Sequence, residues 1–332
     1  MFMYTDYTQH LLDNVKKIHF IGCGGSGMYP LIQILAAKGY DISGSDVLDG
    51  SIIRSEREMG VKVTLGHSAD NVIGADLVVY SAAIAKDNVE LNAAASYGIT
   101  TVERSVLLGY VSRLYKQSIC VSGTHGKTTT TSMISSILLA ADTDPTISVG
   151  GILPAIGGNI RVGGSETFLT EACEYTNSFL SFFPTVAVIL NVEADHLDFF
   201  KDLNDIEHSS HQFAPLVPPA GHVIVNADNQ GAMDSVQGLE RPILTFGLER
   251  PADCTASNLH EEDGLPVFDV LIHGQPYAHV TLHVYGRHNV LNALAAAAAA
   301  HVLGLPGSAV EEGLAAFTGA GRRFEHKGTY HG

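Results

Sequence analysis

In the first third of the chain, short strand-like segments are separated by helix-like segments. Residues 17–21 (KIHFI) have the composition of a buried strand, and residues 29–40 (YPLIQILAAKGY) place their apolar positions on one face of a helix. Further strands are predicted at residues 41–46, 61–66, 75–84 and 99–105. Strands that alternate with helices are typical of a doubly wound parallel sheet, so we predict a Rossmann-like α/β fold for this region.

The same alternation restarts near residue 118. The strand-like segment SICVS (118–122) precedes a threonine-rich loop and the helical segment TSMISSILLAA (131–141). The glycine-rich residues 150–165 are predicted to be a mobile loop. Further strands are predicted at 166–172, 185–192 and 221–228, then a small β-meander within 240–285 and a strong helix at 289–303. We therefore expect a second α/β domain, of P-loop type.

The composition of the chain limits the kinds of partner that it is expected to bind and the cellular compartment in which it is expected. The chain has 332 residues, which suggests two domains, and 45% of them are hydrophobic. The formal net charge of −16 disfavours nucleic acid and anionic membranes as partners. The four cysteines lack zinc-site or disulfide spacing, and neither a signal peptide nor an apolar span is recognisable, so we expect a cytoplasmic protein with reduced thiols.

The first candidate site is a glycine-rich loop directly after the first strand. Gly22, Gly24 and Gly27 match the GxGxxG pattern, in the strand–loop–helix context that lets backbone N–H groups approach a diphosphate. Asp46 ends the next strand, where a ribose-binding carboxylate would lie. The pattern alone is compatible with NAD, with another diphosphate ligand, or with a glycine turn that binds nothing.

The second candidate site is the loop GTHGKTTTT, at residues 123–131. Gly123 and Gly126 permit a tight backbone cradle, Lys127 supplies charge for phosphate, and Thr128 can ligate magnesium. The strict P-loop pattern fails, because Val121 occupies its first glycine position. Two phosphate-binding loops on two successive sheets predict two phosphorylated ligands that meet at a domain cleft. A dehydrogenase would need only the first loop.

These motifs together resemble the Mur ligases, the ATP-dependent amide-forming enzymes of peptidoglycan synthesis. GTHGKTTTT, with histidine before its second glycine, is similar to the form in the L-alanine-adding branch and in murein peptide ligases. Other branches usually have asparagine at that position. Further segments between residues 17 and 326 are similar to successive landmarks of the family: HFIGCGGSGM, SGSD, SAAI, EACEY, NVEADHLDFF, YGRHNVLNALAA and GAGRRFE.

The resemblance implies a domain arrangement and a reaction. Residues 1–116 would form a UDP-sugar-binding Rossmann-like domain, residues 117–325 the ATP-binding central domain, and residues 326–332 the start of a linker to a third family domain that is absent from this sequence. ATP, with Mg²⁺, would phosphorylate the carboxylate of UDP-N-acetylmuramate, and the amine of L-alanine would attack the acyl phosphate. We expect weak or no turnover from two domains alone.

The resemblance also implies catalytic roles in the central domain. Lys127 would bridge the β- and γ-phosphates, Thr128 and Glu171 would bind one magnesium ion, and His196 would serve a second magnesium or the acyl phosphate. Arg323 would reach the γ-phosphate or the interdomain hinge. From the residues alone, Glu171 could equally be a strand-end surface carboxylate, and His196 could belong to a helix-capping cluster.

The remaining ligand contacts are implied in the same way. The adenine base would lie near His288, Asn289 and Asn292, although Asn289 could simply cap a helix. Other ATP contacts would come from the loop residues Gly123, Thr124, His125, Gly126 and Thr129. The UDP-sugar would be held by Gly24, Gly25, Ser26 and Gly27 at its diphosphate, by Asp46, His67, Ser81 and Arg104 near the uridine or sugar, and by Asn159 and Arg161 near the muramoyl group.

Three alternatives to an L-alanine ligase stay open at this point. The first is a non-catalytic protein that binds nucleotide or UDP-sugar, and the second is a murein tripeptide ligase. The third is an NAD-dependent oxidoreductase, which rests only on the GxGxxG pattern and Asp46.

Overall fold

The computed structural model describes residues 10–194 and 199–319, which divide into two compact units after Val111. The predicted domain boundary follows residue 116. Each unit is built on its own β-sheet, and the α/β character predicted for both regions is confirmed.

The first unit contains a five-stranded parallel sheet in the order β3-β2-β1-β4-β5. Both faces of its central strand β1 are covered, and Ile18, Phe20 and Ile21 are fully buried there. The strand order reverses between β1 and β4, and ligands of open α/β sheets bind at the carboxyl ends of the strands beside such a reversal. The elements are β1 (Lys17–Ile21), α1 (Tyr29–Ala37), β2 (Asp41–Asp46), α2 (Ser51–Glu58), β3 (Lys62–Leu65), β4 (Leu77–Tyr80), α3 (Val89–Ser96), β5 (Thr100–Glu103) and α4 (Arg104–Ser112).

The second unit contains a ten-stranded mixed sheet in the order β15-β14-β13-β12-β11-β10-β6-β9-β7-β8. Neighbours from β12 to β7 pair in parallel, while β13–β14, β14–β15 and β7–β8 are antiparallel. The elements are β6 (Gln117–Ser122), α5 (Lys127–Ala140), β7 (Thr146–Leu153), β8 (Gly158–Arg161), β9 (Thr167–Glu171), β10 (Val186–Ile189), α6 (Leu203–Phe213), β11 (His222–Asn226), α7 (Gln230–Asp234), β12 (Ile243–Phe246), β13 (Cys254–Glu262), β14 (Leu265–Ile272), β15 (Gln275–Thr281), α8 (Arg287–Val302) and α9 (Gly307–Ala316).

Small residues allow the helices of the second unit to pack closely. The alanines of α8 from Ala293 to Ala300 are buried in the main core. In α9, a Cβ atom added at Gly313 would lie 2.5 Å from the Ile137 Cα atom of α5. Because the helices approach this closely, α5 is held firmly at the position where its first turn presents the threonine-rich loop.

The prediction of a mobile loop at residues 150–165 is wrong. The segment contains the end of β7, a short 3₁₀ turn and β8, which pairs antiparallel with β7. Its glycines allow a turn and close packing: Gly157 has a φ of +65°, and a Cβ atom at Gly163 would lie 2.1 Å from the Asp144 carbonyl oxygen. Glycine content was therefore a misleading indication of mobility here.

None of the helices within the described residues has the length and hydrophobicity needed to cross a membrane.

Candidate active site

The threonine-rich loop connects the carboxyl end of β6 to the start of α5 and requires glycine at two positions. Gly123 and Gly126 have φ values of +142° and +85°. A Cβ atom at Gly123 would lie 2.9 Å from the Leu190 Cβ atom, and one at Gly126 would lie 2.7 Å from Asn292 Oδ1. Because these two residues are glycines, the loop backbone can lie close to its neighbours. The N-terminus of α5 therefore lies at the sheet edge, as an anion site requires.

The Lys127 ammonium group lies inside the curve of this loop. Its Nζ atom donates to the carbonyl oxygens of Gly123 and Thr124, at 2.5 and 3.2 Å. It also lies 3.0 and 3.1 Å from the two carboxylate oxygens of Glu174, and both side chains are largely buried. The ammonium group therefore lies in the cradle that the sequence predicts for phosphate, where the Glu174 carboxylate balances its charge.

Thr128 and Glu171 meet beside that lysine. Thr128 Oγ1 donates to Glu171 Oε2 at 3.1 Å, and the N–H of Gly150 donates to Glu171 Oε1 at 2.5 Å. A hydroxyl and a carboxylate oxygen are ligands that fit Mg²⁺, which takes few protein ligands and completes its shell with water and phosphate. The third predicted ligand, His196, lies outside the described residues, as does Arg323.

Residues that follow β10 brace the loop from the other side. Asn191 Oδ1 accepts the N–H of His125 at 2.7 Å, and Asn191 Nδ2 donates to the His125 carbonyl at 3.0 Å. The Glu193 N–H donates to Thr124 Oγ1 at 3.0 Å. Asn191 and Glu193 were not predicted from the sequence. The position of Asn191 directly after a buried parallel strand was the signal that could have identified it.

A cavity of about 210 Å³ joins this loop to the start of α8. Two of the predicted adenine contacts, His288 and Asn292, line it with the loop residues His125 and Gly126. The other lining residues are Leu190, Asn191, Asn226, Phe246 and Leu291. Apolar walls with a few amide groups suit a flat nucleobase. Asn292 also accepts the Thr130 hydroxyl at 3.2 Å, and so links the cavity to the first turns of α5.

Asn289 and Thr129 were also predicted to contact ATP, but neither of them is among the residues that line this cavity. Asn289 Nδ2 donates to the Tyr285 carbonyl at 2.7 Å, and its Oδ1 accepts Asn292 Nδ2 at 3.2 Å. Asn289 is therefore engaged in bracing the helix start and Asn292, rather than lining the cavity. Thr129 is half-buried in the first turn of α5.

The glycine-rich loop of the first unit is fastened to the end of β2. The N–H groups of Gly22 and Cys23 donate to the Ser45 carbonyl, at 2.8 and 3.0 Å. Asp46 Oδ2 accepts the Gly24 N–H at 2.9 Å, and its Oδ1 accepts the Leu48 N–H at 3.0 Å. Asp46 thus holds the loop in place, and its contact with a ligand stays a prediction.

Arg104 and Ser81 lie beside the same loop. A Cβ atom at Gly27 would lie 3.3 Å from Arg104 Nε, and one at Gly22 would lie 3.9 Å from Ser81 Oγ. Gly25 and Ser26 complete the exposed part of the loop. A guanidinium group next to backbone N–H groups can hold a diphosphate.

His67 lies at the same sheet edge, with Nδ1 3.3 Å from Ser45 Oγ and 3.4 Å from Glu90 Oε1. The fully buried Glu90 was missed by the sequence analysis, because a glutamate in the first turn of a helix is usually exposed.

Arg161 and Asn159, the residues expected near the muramoyl group, lie on β8. Arg161 donates to the Pro145 carbonyl at 2.8 Å and pairs with Asp144 Oδ1 at 2.6 Å. Its guanidinium group therefore fastens the turn before β7, and its predicted ligand role finds no support in these contacts. Asn159 is half-buried on the same strand.

Comparison with known proteins matches both units to one family. A model described as "Mur ligase family, catalytic domain" matches residues 17–116, and one described as "Mur ligase middle domain" matches residues 121–300. A curated relative from Caldanaerobacter subterraneus subsp. tengcongensis, named UDP-N-acetylmuramate–L-alanine ligase, is 47% identical over 322 residues. That alignment covers 97% of this chain and 70% of the relative.

Solved structures agree with this family. A murein peptide ligase from Neisseria meningitides superposes with a TM-score of 0.81 at 30% identity, covering 92% of this chain and 99% of that one. A UDP-N-acetylmuramate–alanine ligase from Thermotoga maritima gives a TM-score of 0.77 at 29% identity, covering 93% and 70%. The chain therefore belongs to the Mur ligase family of ATP-dependent acid–amino-acid ligases.

Proposed function

We propose that this protein ligates L-alanine to the carboxylate of UDP-N-acetylmuramate, with ATP as the phosphoryl donor and an acyl phosphate as the intermediate. The observation that carries the proposal is the group formed by Lys127, Thr128 and Glu171 at the carboxyl edge of the second sheet, next to a base-sized cavity. The names of relatives at 45–50% identity support the choice of substrates.

The central unit would position and neutralise the reacting phosphates. Lys127 would contact the β- and γ-phosphates, and the N–H groups at the start of α5 would surround them. Thr128 and Glu171 would hold Mg²⁺, which supplies charge neutralisation and polarises the phosphoryl oxygens when it is bound. His125, His288 and Asn292 would contact the base from the walls of the cavity. His196 and Arg323 stay predicted contributors to this site.

The Cys173 thiol, which lies between the two glutamates in sequence, does not fit a nucleophilic role. Burial and the nearby Glu174 carboxylate raise its pKa, so the thiol is held in its unreactive protonated form. Covalent chemistry on cysteine is therefore absent from the proposed reaction, and transfer proceeds directly from ATP to the substrate carboxylate.

The first unit would bind the sugar nucleotide. The N–H groups of residues 24–27 and the Arg104 guanidinium group would hold the diphosphate, and His67 and Ser81 would lie nearer the uridine or sugar. The second loop, with Lys127, favours a ligase over an NAD-dependent oxidoreductase, because a dehydrogenase would need only the first loop.

The identity of the amine substrate is the part of the proposal that the structure constrains least. Solved relatives of similar fold include both an alanine ligase and a peptide ligase, so fold alone does not separate L-alanine from a tripeptide. The curated relatives at the higher identities are named for L-alanine, and this favours the single amino acid.

A direct test is a ligation assay with UDP-N-acetylmuramate, ATP and Mg²⁺, with L-alanine or the peptide L-alanyl-γ-D-glutamyl-meso-diaminopimelate as the amine. We expect weak phosphate release, and a UDP-linked product with L-alanine only. Product with the peptide alone would select the murein peptide ligase alternative. Binding of both nucleotides without product would select the non-catalytic alternative.

A further inference from the structure

A buried carboxylate joins the parts of the first unit that surround its predicted ligand site. Glu90, in the first turn of α3, has no exposed surface. Its Oε2 atom accepts from His19 Nε2 at 3.3 Å and from the Ser45 hydroxyl at 2.7 Å. Its Oε1 atom accepts Asn71 Nδ2 at 2.5 Å and the Ser68 N–H at 3.3 Å. A buried carboxylate stays ionised only when hydrogen bonds from the protein replace those that it would make with water.

The carboxylate remains ionised in this environment. Burial raises the pKa of Glu90, but the hydrogen bonds from His19, Ser45 and Asn71 outweigh that effect and bring the pKa to about 2. At neutral pH Glu90 is consequently an acceptor only, and each group that approaches it within hydrogen-bond distance must donate.

This requirement fixes where the proton lies on His67. The single hydroxyl proton of Ser45 is committed to Glu90, so Ser45 Oγ can only accept from the His67 Nδ1 atom 3.3 Å away. The other neighbour of His67 Nδ1 is Glu90 Oε1 at 3.4 Å, which also only accepts. Nδ1 therefore carries the proton, and the Nε2 atom of the neutral ring is a bare acceptor.

The bare Nε2 atom is available to a ligand. The His67 side chain is 21% exposed, and no hydrogen bond joins Nε2 to another residue in 10–194 or 199–319. His67 follows β3. Ser45, whose carbonyl accepts the N–H groups of Gly22 and Cys23, is the second-last residue of β2. The ring is thus tied to the glycine-rich loop at the carboxyl edge of the sheet, where ligands of such sheets bind.

We propose that Glu90 is a positioning residue, which holds His67 with Nδ1 turned inward so that Nε2 accepts a hydrogen bond from the nucleoside part of a uridine diphosphate ligand. The proposal rests on the proposed sugar-nucleotide site of the first unit. Two groups of such a ligand can donate to Nε2: the N3–H of the uracil base and a ribose hydroxyl.

The first test needs no ligand. Histidine labelled with ¹⁵N in the whole chain, studied at about pH 8.5 where imidazole is neutral, reports the tautomer of each ring. Loss of one signal set in His67→Asn identifies His67. We expect a protonated Nδ1 and a bare Nε2 in the wild type, and loss of this preference in Glu90→Gln. A wild-type His67 with its proton on Nε2 would overturn the proposal.

The second test measures binding of UDP, N3-methyl-UDP, 2′-deoxy-UDP and 3′-deoxy-UDP by calorimetry at the same pH. In the wild type we expect one of the three analogues to bind about tenfold more weakly than UDP, which is the effect of one lost hydrogen bond. Glu90→Gln should bind UDP about tenfold more weakly and should no longer discriminate against that analogue. A merely structural role for Glu90 would weaken all four ligands equally.

Asp76→Asn is the matched control, because Asp76 accepts the N–H groups of Lys16 and Lys17 at the opposite edge of the same sheet. It should bind all four ligands like the wild type. Equal binding of UDP and all three analogues by the wild type would overturn the inference and leave the sugar-nucleotide site intact. Failure of the folded wild type to bind UDP would overturn that site, and the inference with it.

Discussion

Individual side chains of the nucleotide loop have narrowly defined tasks, and single substitutions can separate them. Gly126 permits the backbone turn and leaves room for Asn292, while Lys127 and Glu174 form a largely buried ion pair. Thr128 and Glu171 form a separate oxygen pair. Nucleotide affinity, metal dependence and folding stability should therefore respond differently to each change.

Gly126→Ala should weaken binding of ADP by about tenfold or more, because its Cβ atom would lie 2.7 Å from Asn292 Oδ1 at the wall of the base cavity. Gly238→Ala is the matched control. Gly238 also has a positive φ, +75°, but a Cβ atom there meets nothing within 4 Å. Both variants should lose about 1–2 kcal/mol of stability from the backbone conformation. Equal ADP affinity in the two variants, measured by calorimetry, would show that the steric clash with Asn292 has no effect on the cavity.

Glu171→Gln should remove most of the contribution of magnesium to ATP binding. The carboxylate oxygen beside Thr128 would become part of a neutral amide, which is a weak ligand for Mg²⁺. We expect similar affinity for metal-free ATP in variant and wild type, and about a tenfold smaller gain on adding Mg²⁺. Glu166→Gln, at the exposed start of the same strand region, is the control. A full magnesium effect in Glu171→Gln would place the metal elsewhere.

At the scale of elements, the pattern of strands and helices was largely predictable. The segments 17–21 and 41–46 are β1 and β2 with the predicted bounds. The apolar residues of β1 indicated the first strand, whereas β2 is mostly polar and was predicted from the alternation of strands with helices. The hairpin of β7 and β8 was missed, because glycine residues that serve close packing have the same composition as a mobile loop. Long-range partners such as Glu90 and Asn191 were missed as well, since the contacts that give them a role join residues distant in sequence.

The helix α2 carries a buried carboxyl group that should make stability depend on pH. Burial raises the pKa of Glu56 from 4.5 to about 7, with Asp46 adding to the rise and the Cys23 thiol offsetting part of it. Between those values the folded state keeps a proton that the unfolded state has released, so stability falls as the pH rises from about 4.5 to 7. The loss amounts to about 3 kcal/mol.

Glu56→Gln should remove this dependence, because its amide does not titrate. Denaturant unfolding at a series of pH values should show a smaller fall in stability between about pH 4.5 and 7 than in the wild type. Glu58→Gln, an exposed glutamate on the same helix, should leave the wild-type profile unchanged. Identical slopes in Glu56→Gln and the wild type would show that Glu56 titrates normally.

At the scale of the whole molecule, each unit carries one glycine-containing loop at the carboxyl ends of the parallel strands of its own sheet. Arg104 lies beside the first loop, and Lys127 lies within the second. An overall formal charge of −16 makes these local cations important, because they provide anion sites on an otherwise acidic protein. We therefore expect the protein to bind two separate anionic ligands, one in each unit.

The most direct measurement is the thermal unfolding midpoint with UDP-N-acetylmuramate, Mg²⁺–ATP or NAD added separately, for the wild type, Lys127→Met and the exposed-lysine control Lys116→Met. A ligand at a hundredfold excess over its dissociation constant stabilises the folded state by about 2.7 kcal/mol. We expect shifts with UDP-N-acetylmuramate and ATP but not NAD, and loss of the ATP shift alone in Lys127→Met. A shift with NAD only, or an ATP shift that survives in Lys127→Met, would contradict the account.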